Sequence, residues 1–288
     1  MRQKHKIMQK FTLELLFRII GIGSASGLIY HENALYLVAD NSHLVYNYNM
    51  ETKALDKTSL VNKDYAGALE NVPKPDKPDY EAIAIKDDSL YAFGSGSEQN
   101  RNLIGHMNIT TKEVYPHIDA ADLYLAMQSF GEISPEDFNI EGAVNDGDTW
   151  YLLNRGNGPK KVNGIFTLNG TMNTTFFQII YNPIKLPKIN GVQATFTDAT
   201  IANGKLYFIA AAENTTSTYL DGDVAGTLLG RINLDKMKVE KTVVISEKNK
   251  FEGITLYKDT GKTLQFLLCE DTDNDATETE VYKLTVKK

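Results

Sequence analysis

The sequence is poor in the residues on which several common classes of protein depend. Its 288 residues include a single cysteine, Cys269, which excludes a disulfide framework and a cysteine-rich zinc site. No stretch approaches the run of about 18 apolar residues that a membrane-spanning helix needs, so we expect no membrane partner. Basic residues are outnumbered 30 to 37 by acidic ones, for a formal net charge of −7. Nucleic-acid binding requires a basic surface, so we expect no nucleic-acid partner either.

The composition indicates one folded unit. Hydrophobic residues make up 42% of the sequence and aromatic residues 10%, which is enough for a large core and too much for a disordered chain. The length allows one or two domains. No linker or shift in composition divides the chain, so we predict a single domain over residues 1–288 rather than two fused ones.

One sequence pattern occurs five times. Each copy has a small or acidic residue, a short apolar strand, a tight polar turn such as Asn203-Gly204, and a second strand. The repeated small or acidic residues are Ser26, Glu81, Glu141, Asp198 and Glu252. They lie 54 to 60 residues apart, and the step from Glu252 back to Ser26 through the joined termini is 62 residues. The period therefore closes on itself, as in a ring of similar units.

The closed repeat predicts an all-β fold, a five-bladed β-propeller with four antiparallel strands per blade. The last blade lacks its fourth strand, and the N-terminal strand Leu13–Ile20 can complete it and close the ring. A cleaved secretory signal is the alternative for this segment, although Glu14 and Arg18 interrupt its apolar run. Two segments depart from the repeat. Ala120–Phe130 has helical spacing, and Asn71–Asp79 is an irregular connector with three prolines.

The repeated residues should meet at one mouth of the central channel, because each stands at the start of the first strand of its blade. Four are carboxylates, and at roughly 6 Å and an effective dielectric constant of about 20 each close pair costs about 3 kcal/mol. Protonation or a bound cation would relieve this repulsion. An all-oxygen donor set suits Ca²⁺. We therefore predict one Ca²⁺ in the channel, bound by Ser26, Glu81, Glu141, Asp198 and Glu252. The alternatives are a hydrated acidic tunnel and carboxylates that cap backbone amides.

Four short motifs carry a family resemblance: Ser26-Gly-Leu-Ile-Tyr-His-Glu-Asn-Ala-Leu-Tyr36, Glu81-Ala-Ile-Ala84, Ile140-Glu-Gly-Ala143 and Lys250-Phe-Glu-Gly-Ile254. They resemble the channel motifs of the calcium-activated nucleotidases (soluble apyrases). The resemblance implies one channel Ca²⁺ held by Ser and Glu side chains, and hydrolysis of nucleoside di- and triphosphates at the same mouth. Asp198 stands where that family has a second Ser. The chain also resembles phytase-like and uncharacterised bacterial propellers.

The chain departs from the nucleotidases at the loops that bind phosphate. The family's acidic pair followed by Arg is here Ala39-Asp40-Asn41-Ser42-His43, and its Arg pair in the third blade is reduced to Arg155. The mouth is also more acidic than a polyanion site should be. If the protein is a hydrolase, we expect the metal to polarise a phosphoryl or acyl oxygen. Arg155 would then stabilise negative charge, and Asp40 or Glu213 would orient the attacking water.

Three functional hypotheses stay open. The first is a calcium-dependent hydrolase of phosphate esters or anhydrides. The second is a non-catalytic propeller with a structural channel cation, whose mouth binds a ligand or a protein. The third is a lactonase-like or phytase-like hydrolase on the same ring. We expect a monomer in the cytoplasm, with secretion or the periplasm as alternatives, and a small-molecule ligand, phosphorylated under the first hypothesis. The acidic segment Glu270–Asp275 lacks EF-hand spacing and is predicted to be a solvated turn, with a second ion site as the alternative.

Overall fold

Five antiparallel sheets form the blades of a β-propeller in the computed structural model of the protein. The structure describes residues 11–23, 25–158, 162–172, 178–214, 222–270 and 277–288. The first described strand is β1 (Phe11–Ile20), and blade one follows with β2 (Ala25–His31), β3 (Ala34–Ala39), β4 (Leu44–Asn49) and β5 (Leu55–Ser59). Blade two consists of β6 (Tyr80–Lys86), β7 (Ser89–Gly94), β8 (Leu103–Asn108) and β9 (Val114–Asp119). The predicted all-β, five-bladed fold is confirmed.

The other three blades follow the same order. Blade three consists of β10 (Ile140–Asp146), β11 (Thr149–Asn154), β12 (Asn163–Asn169) and β13 (Gln178–Ile184). Blade four has β14 (Lys188–Ile189), β15 (Val192–Ala202), β16 (Lys205–Glu213), β17 (Val224–Asn233) and β18 (Lys238–Ser246). Blade five has β19 (Phe251–Asp259), β20 (Thr263–Glu270) and β21 (Glu278–Lys287). The two-residue strand β14 adds a fifth strand to blade four and was not predicted.

The segments that depart from the repeat are as predicted. An α-helix, α1 (Ala121–Gly131), connects blades two and three, and the connector Asn71–Asp79 has neither helix nor strand. Two single 3-10 turns, Gln99–Arg101 and Pro135–Asp137, lie in the loops of blade two and before blade three. In the described part of the chain, no helix is long and apolar enough to span a bilayer. Of the predicted turn Glu270–Asp275, the residues after Glu270 lie outside the described ranges.

The ring closes because the first and last described strands pair in the same blade. β1 pairs antiparallel with β21, with Phe11 opposite Val286 and Ile20 opposite Glu278. The sheet order β1-β21-β20-β19 makes the N-terminal strand the outermost strand of blade five. The predicted closure is confirmed, and pairing along a whole strand explains why this segment tolerates Glu14 and Arg18.

Blades pack closely where their first strands meet around the channel. At Gly253 in β19, a Cβ atom would lie 2.6 Å from Cys269 Sγ and 2.8 Å from the Cβ of Leu28 in blade one. Only glycine fits at that approach without a shift of the neighbouring strand. Cys269 itself is fully buried.

A one-residue β-bulge in each first strand positions the mouth residues, at the second residue of the strand in four blades and at the sixth residue of β15 in blade four. In the pairing of first with second strands, the skipped residues are Ser26, Glu81, Glu141, Thr197 and Glu252. Successive strand residues face opposite sides, so a shift of one residue changes the face. The sequence prediction that made Asp198 the blade-four equivalent is therefore wrong by one residue, and Thr197 occupies that place. Asp198 was chosen because most other blades have an acidic residue at the repeated position, but the strand register gives that position to Thr197.

Candidate functional site

The first and second strands of the blades bring polar residues to the same mouth of the channel. The bulge residues of four blades stand at the starts of the first strands, and Thr197 lies within β15. The predicted residues at or just after the ends of second strands are Asp40, Arg155 and Glu213. Backbone hydrogen bonds join the blades here, because Asp79 N donates to Asp40 O at 3.0 Å and Ile140 N donates to Ser95 O at 2.8 Å. The charged side chains of the mouth fall into two groups.

The first group, here the Arg155 cluster, comprises Glu141, Arg155, Glu213, Lys250 and Glu252. Arg155 Nη1 lies 3.1 Å from Glu141 Oε1, and its other terminal nitrogen contacts Glu213. Lys250 Nζ lies 3.0 Å from Glu213 and 3.0 Å from Glu252. The contacts therefore form a chain in which negative and positive groups alternate. Every carboxylate of this cluster has a cation beside it.

The second group, here the Lys77 cluster, comprises Asp40, Lys77, Asp79, Glu81 and Arg101. Lys77 Nζ contacts Asp40 and lies 2.6 Å from Asp79 Oδ1. Arg101 Nη1 lies 3.1 Å from Asp79 Oδ2. One oxygen from each of Asp40, Asp79 and Glu81 can be chosen so that all three lie within 4.8 Å of one another. Three carboxylates thus share a small volume at the start of blade two.

Charge compensation in the Lys77 cluster is incomplete. Within the described ranges, the Glu81 side chain makes neither an ion pair nor a hydrogen bond. Burial raises the pKa of Glu81 well above its usual range, and neighbouring carboxylates, Asp79 first, raise it further. The Oδ1 atom of Asp40 is buried and has no hydrogen-bond partner. Lys77 attracts the charge of Glu81 without forming an ion pair with it, so among the described residues Glu81 and Asp40 Oδ1 are left without a direct partner.

The pKa values of the Arg155 cluster reflect a balance between burial and pairing. Burial raises the pKa of Glu252 to about 8, against the attraction of Lys250. Burial also raises the pKa of Glu141, although Arg155 opposes it. At Glu213 burial acts in the same direction, but Arg155 and Lys250 outweigh it and lower the pKa. Glu213, at the centre of the chain of charges, is thus held as a carboxylate.

Asp198 directly follows the bulge residue Thr197 in β15. Its side chain is buried, and Oδ2 accepts a hydrogen bond of 2.8 Å from the backbone N–H of Ile254 in blade five. Its Oδ1 has no partner, and burial raises its pKa well above the usual range. Thr197, which holds the bulge position, donates from Oγ1 to Phe251 O at 2.8 Å. Both side chains of blade four therefore bind the first strand of blade five.

The structure brings together only some of the predicted metal ligands. Asp40, predicted as a catalytic residue, and Glu81 belong to the group of three close carboxylates, and Ser26 is buried at the same mouth. Among the described residues, Glu81, Glu141, Asp198 and Glu252 do not form a group of acidic oxygens within 4.8 Å. The predicted catalytic pair Arg155 and Glu213 is in direct contact. The roles assigned to all these residues stay predictions.

Sequence reasoning missed Lys77 and Asp79, which it placed in an irregular connector. A positional signal was available. Asp79, Asn139 and Lys250 each stand two residues before the bulge residue of their blade. All three immediately precede the first residue of their strand, and residues two apart along extended backbone share a face, which places Asn139 and Lys250 beside their bulge residues. Asp79 has a left-handed φ of 56°, so this rule does not apply to it. Asn139 donates to Glu141 Oε1 at 2.7 Å, in agreement with this rule.

Several solved structures share the fold but little sequence. The glutaminyl cyclase of Myxococcus xanthus gives a TM-score of 0.56 at 9% identity, over 97% of this chain and 99% of that one. The PQQ-bound aldose sugar dehydrogenase of Streptomyces coelicolor gives 0.55 at 11% identity, over 97% and 99%. The Malassezia sympodialis allergen Mala s 1 gives 0.56 at 11% identity, over 94% and 96%. At these identities the similarity concerns the fold alone.

No curated protein matches the sequence. The five-bladed propeller is confirmed, and the resemblance to calcium-activated nucleotidases stays a prediction. A model of a family of unknown function, DUF6929, matches residues 21–286, which is nearly the whole chain. The chain therefore belongs to the DUF6929 family.

Proposed function

We propose that the channel mouth binds one divalent cation, with Ca²⁺ expected, on Asp40, Asp79 and Glu81. The observation that carries the proposal is the approach of three carboxylate oxygens to within 4.8 Å of one another. Hard divalent cations prefer such an all-oxygen set, and Ca²⁺ accepts irregular geometry with water as additional ligands. The proposed ligands overlap the sequence prediction only at Glu81.

The residues present fit a cation of this kind. Asp40 Oδ1 is buried without a hydrogen-bond partner, and three neighbouring carboxyl groups raise the pKa of Glu81. Asp79 is held in place from the other side, because its Oδ2 accepts hydrogen bonds from Ser95 and Arg101. The ammonium group of Lys77 lies between Asp40 and Asp79 and supplies one positive charge there. A divalent ion would compete with this ammonium group and supply two.

Hydrolysis of a phosphate ester is a second candidate, favoured by the two guanidinium groups at the same mouth. A divalent cation polarises a phosphoryl oxygen and activates a bound water when it is present. Asp40 would accept a hydrogen bond from that water through Oδ1. Arg101 and Arg155 would attract the phosphate, although each is held by carboxylates at 3.1 Å. Glu213 stays ionised between Arg155 and Lys250 and fits the role of fixing Arg155 better than that of a base.

Calorimetric titration of chelator-treated protein with CaCl₂ tests the cation site. We expect one ion per chain, and Glu81→Gln should weaken its binding at least tenfold because it removes a charged ligand. The matched control is Glu51→Gln, which removes an exposed carboxylate from a turn. Unchanged affinity in the Glu81→Gln protein would show that the ion, if bound, lies elsewhere.

Phosphate release from nucleoside diphosphates and from p-nitrophenyl phosphate tests the second candidate. The hydrolase hypothesis predicts turnover that depends on Ca²⁺ and disappears with EDTA. Binding of Ca²⁺ with a rise in melting temperature and no turnover would instead support the non-catalytic propeller. A lactone panel under the same conditions separates the third hypothesis.

A further inference from the structure

The side chain of Lys77 occupies part of the space that a cation at the channel mouth would need. Its ammonium nitrogen contacts Asp40 Oδ2 and lies 2.6 Å from Asp79 Oδ1. Ca²⁺ binds carboxylate oxygens at about 2.3–2.6 Å. An ion bound to these two oxygens would therefore overlap the position of the ammonium group, and the two positive charges would repel each other.

The chain around Lys77 allows its side chain to move without disturbing a sheet. Residues 73–78 have neither helix nor strand, and residues 73–76 are exposed. Backbone hydrogen bonds fix the chain on both sides, from Val72 N to Asn41 O at 2.9 Å and from Asp79 N to Asp40 O at 3.0 Å. The Lys77 ammonium group can therefore leave the carboxylates while both ends of the segment stay in place.

The backbone of this segment is also held independently of the ammonium group. Arg101 Nη2 donates a hydrogen bond of 3.2 Å to Lys74 O. Asn100 Nδ2 lies 3.2 Å from Pro75 O and 3.3 Å from Lys77 O. These contacts use carbonyl oxygens and do not depend on where the Lys77 side chain points. The part that moves is thus a flexible four-carbon side chain with a strongly hydrated end.

We infer that Lys77 is an intramolecular competitor for the cation site, and that its ammonium group leaves Asp40 and Asp79 for solvent when Ca²⁺ binds. The inference rests on the proposed cation site and adds its regulation. A competitor on a short tether acts at an effective concentration on the order of millimolar. Lys77 therefore lowers the affinity for Ca²⁺ and partly neutralises the carboxylates when Ca²⁺ is scarce.

Acetylation rates test the displacement in the unmodified full chain. Chelator-treated protein is labelled with sulfo-NHS-acetate, with and without saturating CaCl₂, and peptide mass spectrometry gives the rate at each lysine. The side chain of Lys77 is 11% exposed, and a buried, paired amine reacts slowly. We expect Ca²⁺ to accelerate acetylation of Lys77 by about tenfold or more, because the reagent needs an accessible amine.

Two other lysines are internal controls in the same experiment. Lys74 is exposed in the same segment and should react rapidly in both conditions. Lys250 is buried 3.0 Å from both Glu213 and Glu252 in the Arg155 cluster and should react slowly in both. NaCl at the same ionic strength as the CaCl₂ controls for screening and should leave the rate at Lys77 unchanged.

The Ca²⁺ dependence of the Lys77 rate connects the displacement to the cation site. Its midpoint should agree with the dissociation constant from calorimetry. In the Glu81→Gln protein the midpoint should rise by about tenfold or more, since a charged ligand is lost. In the Glu51→Gln protein it should stay at the wild-type value.

Three results would overturn the inference. The first is binding of Ca²⁺ in calorimetry with no change at Lys77, which would place the ion beside the ammonium group and leave the cation site standing. The second is equal acceleration at Lys77 and Lys250, which would indicate a general loosening of the fold. The third is no binding of Ca²⁺ in calorimetry, which removes the cation site and its competitor together. Calorimetry therefore distinguishes failure of the competitor from failure of the cation site.

Discussion

The two charged clusters of the mouth are built on the same bulge and neutralise their charges differently. In the Arg155 cluster, each carboxylate has a cation within 3.1 Å or closer. In the Lys77 cluster, Glu81 has no ion-pair partner among the residues described, and Asp40 Oδ1 has no hydrogen-bond partner. Buried charges are tolerated when they are paired and costly when they are not. Among the residues described, the carboxylates of the first cluster are all paired with cations, whereas the second leaves Glu81 without an ion pair, which is the difference on which the proposed cation site rests.

A single position in the repeat accounts for much of this difference. Two residues before the bulge, blade five has Lys250 and blade two has Asp79. Lys250, the residue just before β19, lies 3.0 Å from Glu252 and places a positive charge beside it. Asp79 instead adds a negative charge beside Glu81, and the compensating Lys77 must come from the preceding connector. The sign of the charge at this position decides whether the bulge carboxylate has a cation or a second carboxylate beside it.

The largest effect is expected at Arg155. Arg155→Met leaves Glu141 and Glu213 buried with one cation removed from between them, so we expect a loss of about 3–5 kcal/mol in the free energy of unfolding. Urea denaturation measures this loss. Arg18→Met is the control, because Arg18 also forms an ion pair, at 2.6 Å from Glu280, but is 54% exposed. That change should leave the free energy of unfolding nearly unchanged. Equal losses in the two variants would mean that the buried ion pairs of Arg155 contribute no more to stability than an exposed pair.

The second-largest effect is a loss of stability that we expect Ca²⁺ to reverse in the Lys77 cluster and not in the Arg155 cluster. Lys77→Met should cost about 1–3 kcal/mol, less than the Arg155 variant, because Asp79 keeps Arg101 as a partner. Calcium at about 100 times its dissociation constant should restore roughly 2.7 kcal/mol. It should also bind the Lys77→Met protein more tightly than the wild type, since a competing charge is gone.

The same calcium concentration should rescue Arg155→Met no more than it stabilises the wild-type protein. Lys205→Met, which removes an ion pair with Glu240 at the surface, is the control for loss of a lysine. If calcium fails to stabilise Lys77→Met beyond this control, the Lys77 cluster is not the cation site.

The third effect concerns pH. The pKa of Glu252 is near 4.5 in the unfolded chain and is raised by burial to about 8 in the folded protein. Between these values the folded protein binds the extra proton, so this contribution to stability is complete below about pH 4.5 and is lost as the pH rises through about 8. One such group contributes a slope of at most about 1.4 kcal/mol per pH unit.

Glu252→Gln should flatten the dependence of unfolding free energy on pH between 5 and 8. Urea denaturation at several pH values measures the slope. The exposed Glu113→Gln is the matched control and should leave the slope unchanged. A slope that is the same in wild-type and Glu252→Gln proteins would mean that pairing with Lys250 outweighs burial.

The fold could be predicted because it repeats. Closure of the period around the termini required a strand for the last blade, and Leu13–Ile20 was the segment left over, now seen as β1. The register of blade four could not be predicted from residue types, since Thr197 and Asp198 are adjacent and only the bulge decides between them. β14 has two residues and no pattern of its own.

The position of the candidate site could be predicted from the sequence, but the pairing of its carboxylates with cations could not. The repeat placed Glu81, Glu141 and Glu252 at one mouth because each occupies the same register. It did not show which cations reach them. Lys77 arrives from a connector without secondary structure, and a contact made by such a segment depends on how the chain folds back rather than on periodicity.

The smallest effect compares the same position in neighbouring blades. Glu81→Gln removes a charge from among three carboxylates and loses no ion pair, so we expect the unfolding free energy at neutral pH to stay the same or rise by up to about 1 kcal/mol. Glu141→Gln weakens the contacts to Arg155 and Asn139 at 3.1 and 2.7 Å, so its unfolding free energy should fall by about 1–3 kcal/mol. Each variant makes the same chemical change at a bulge residue, and urea denaturation in EDTA compares them without metal. Opposite signs would show that the two clusters differ in their need for a cation, whereas equal losses would mean that Glu81 is as fully paired as Glu141.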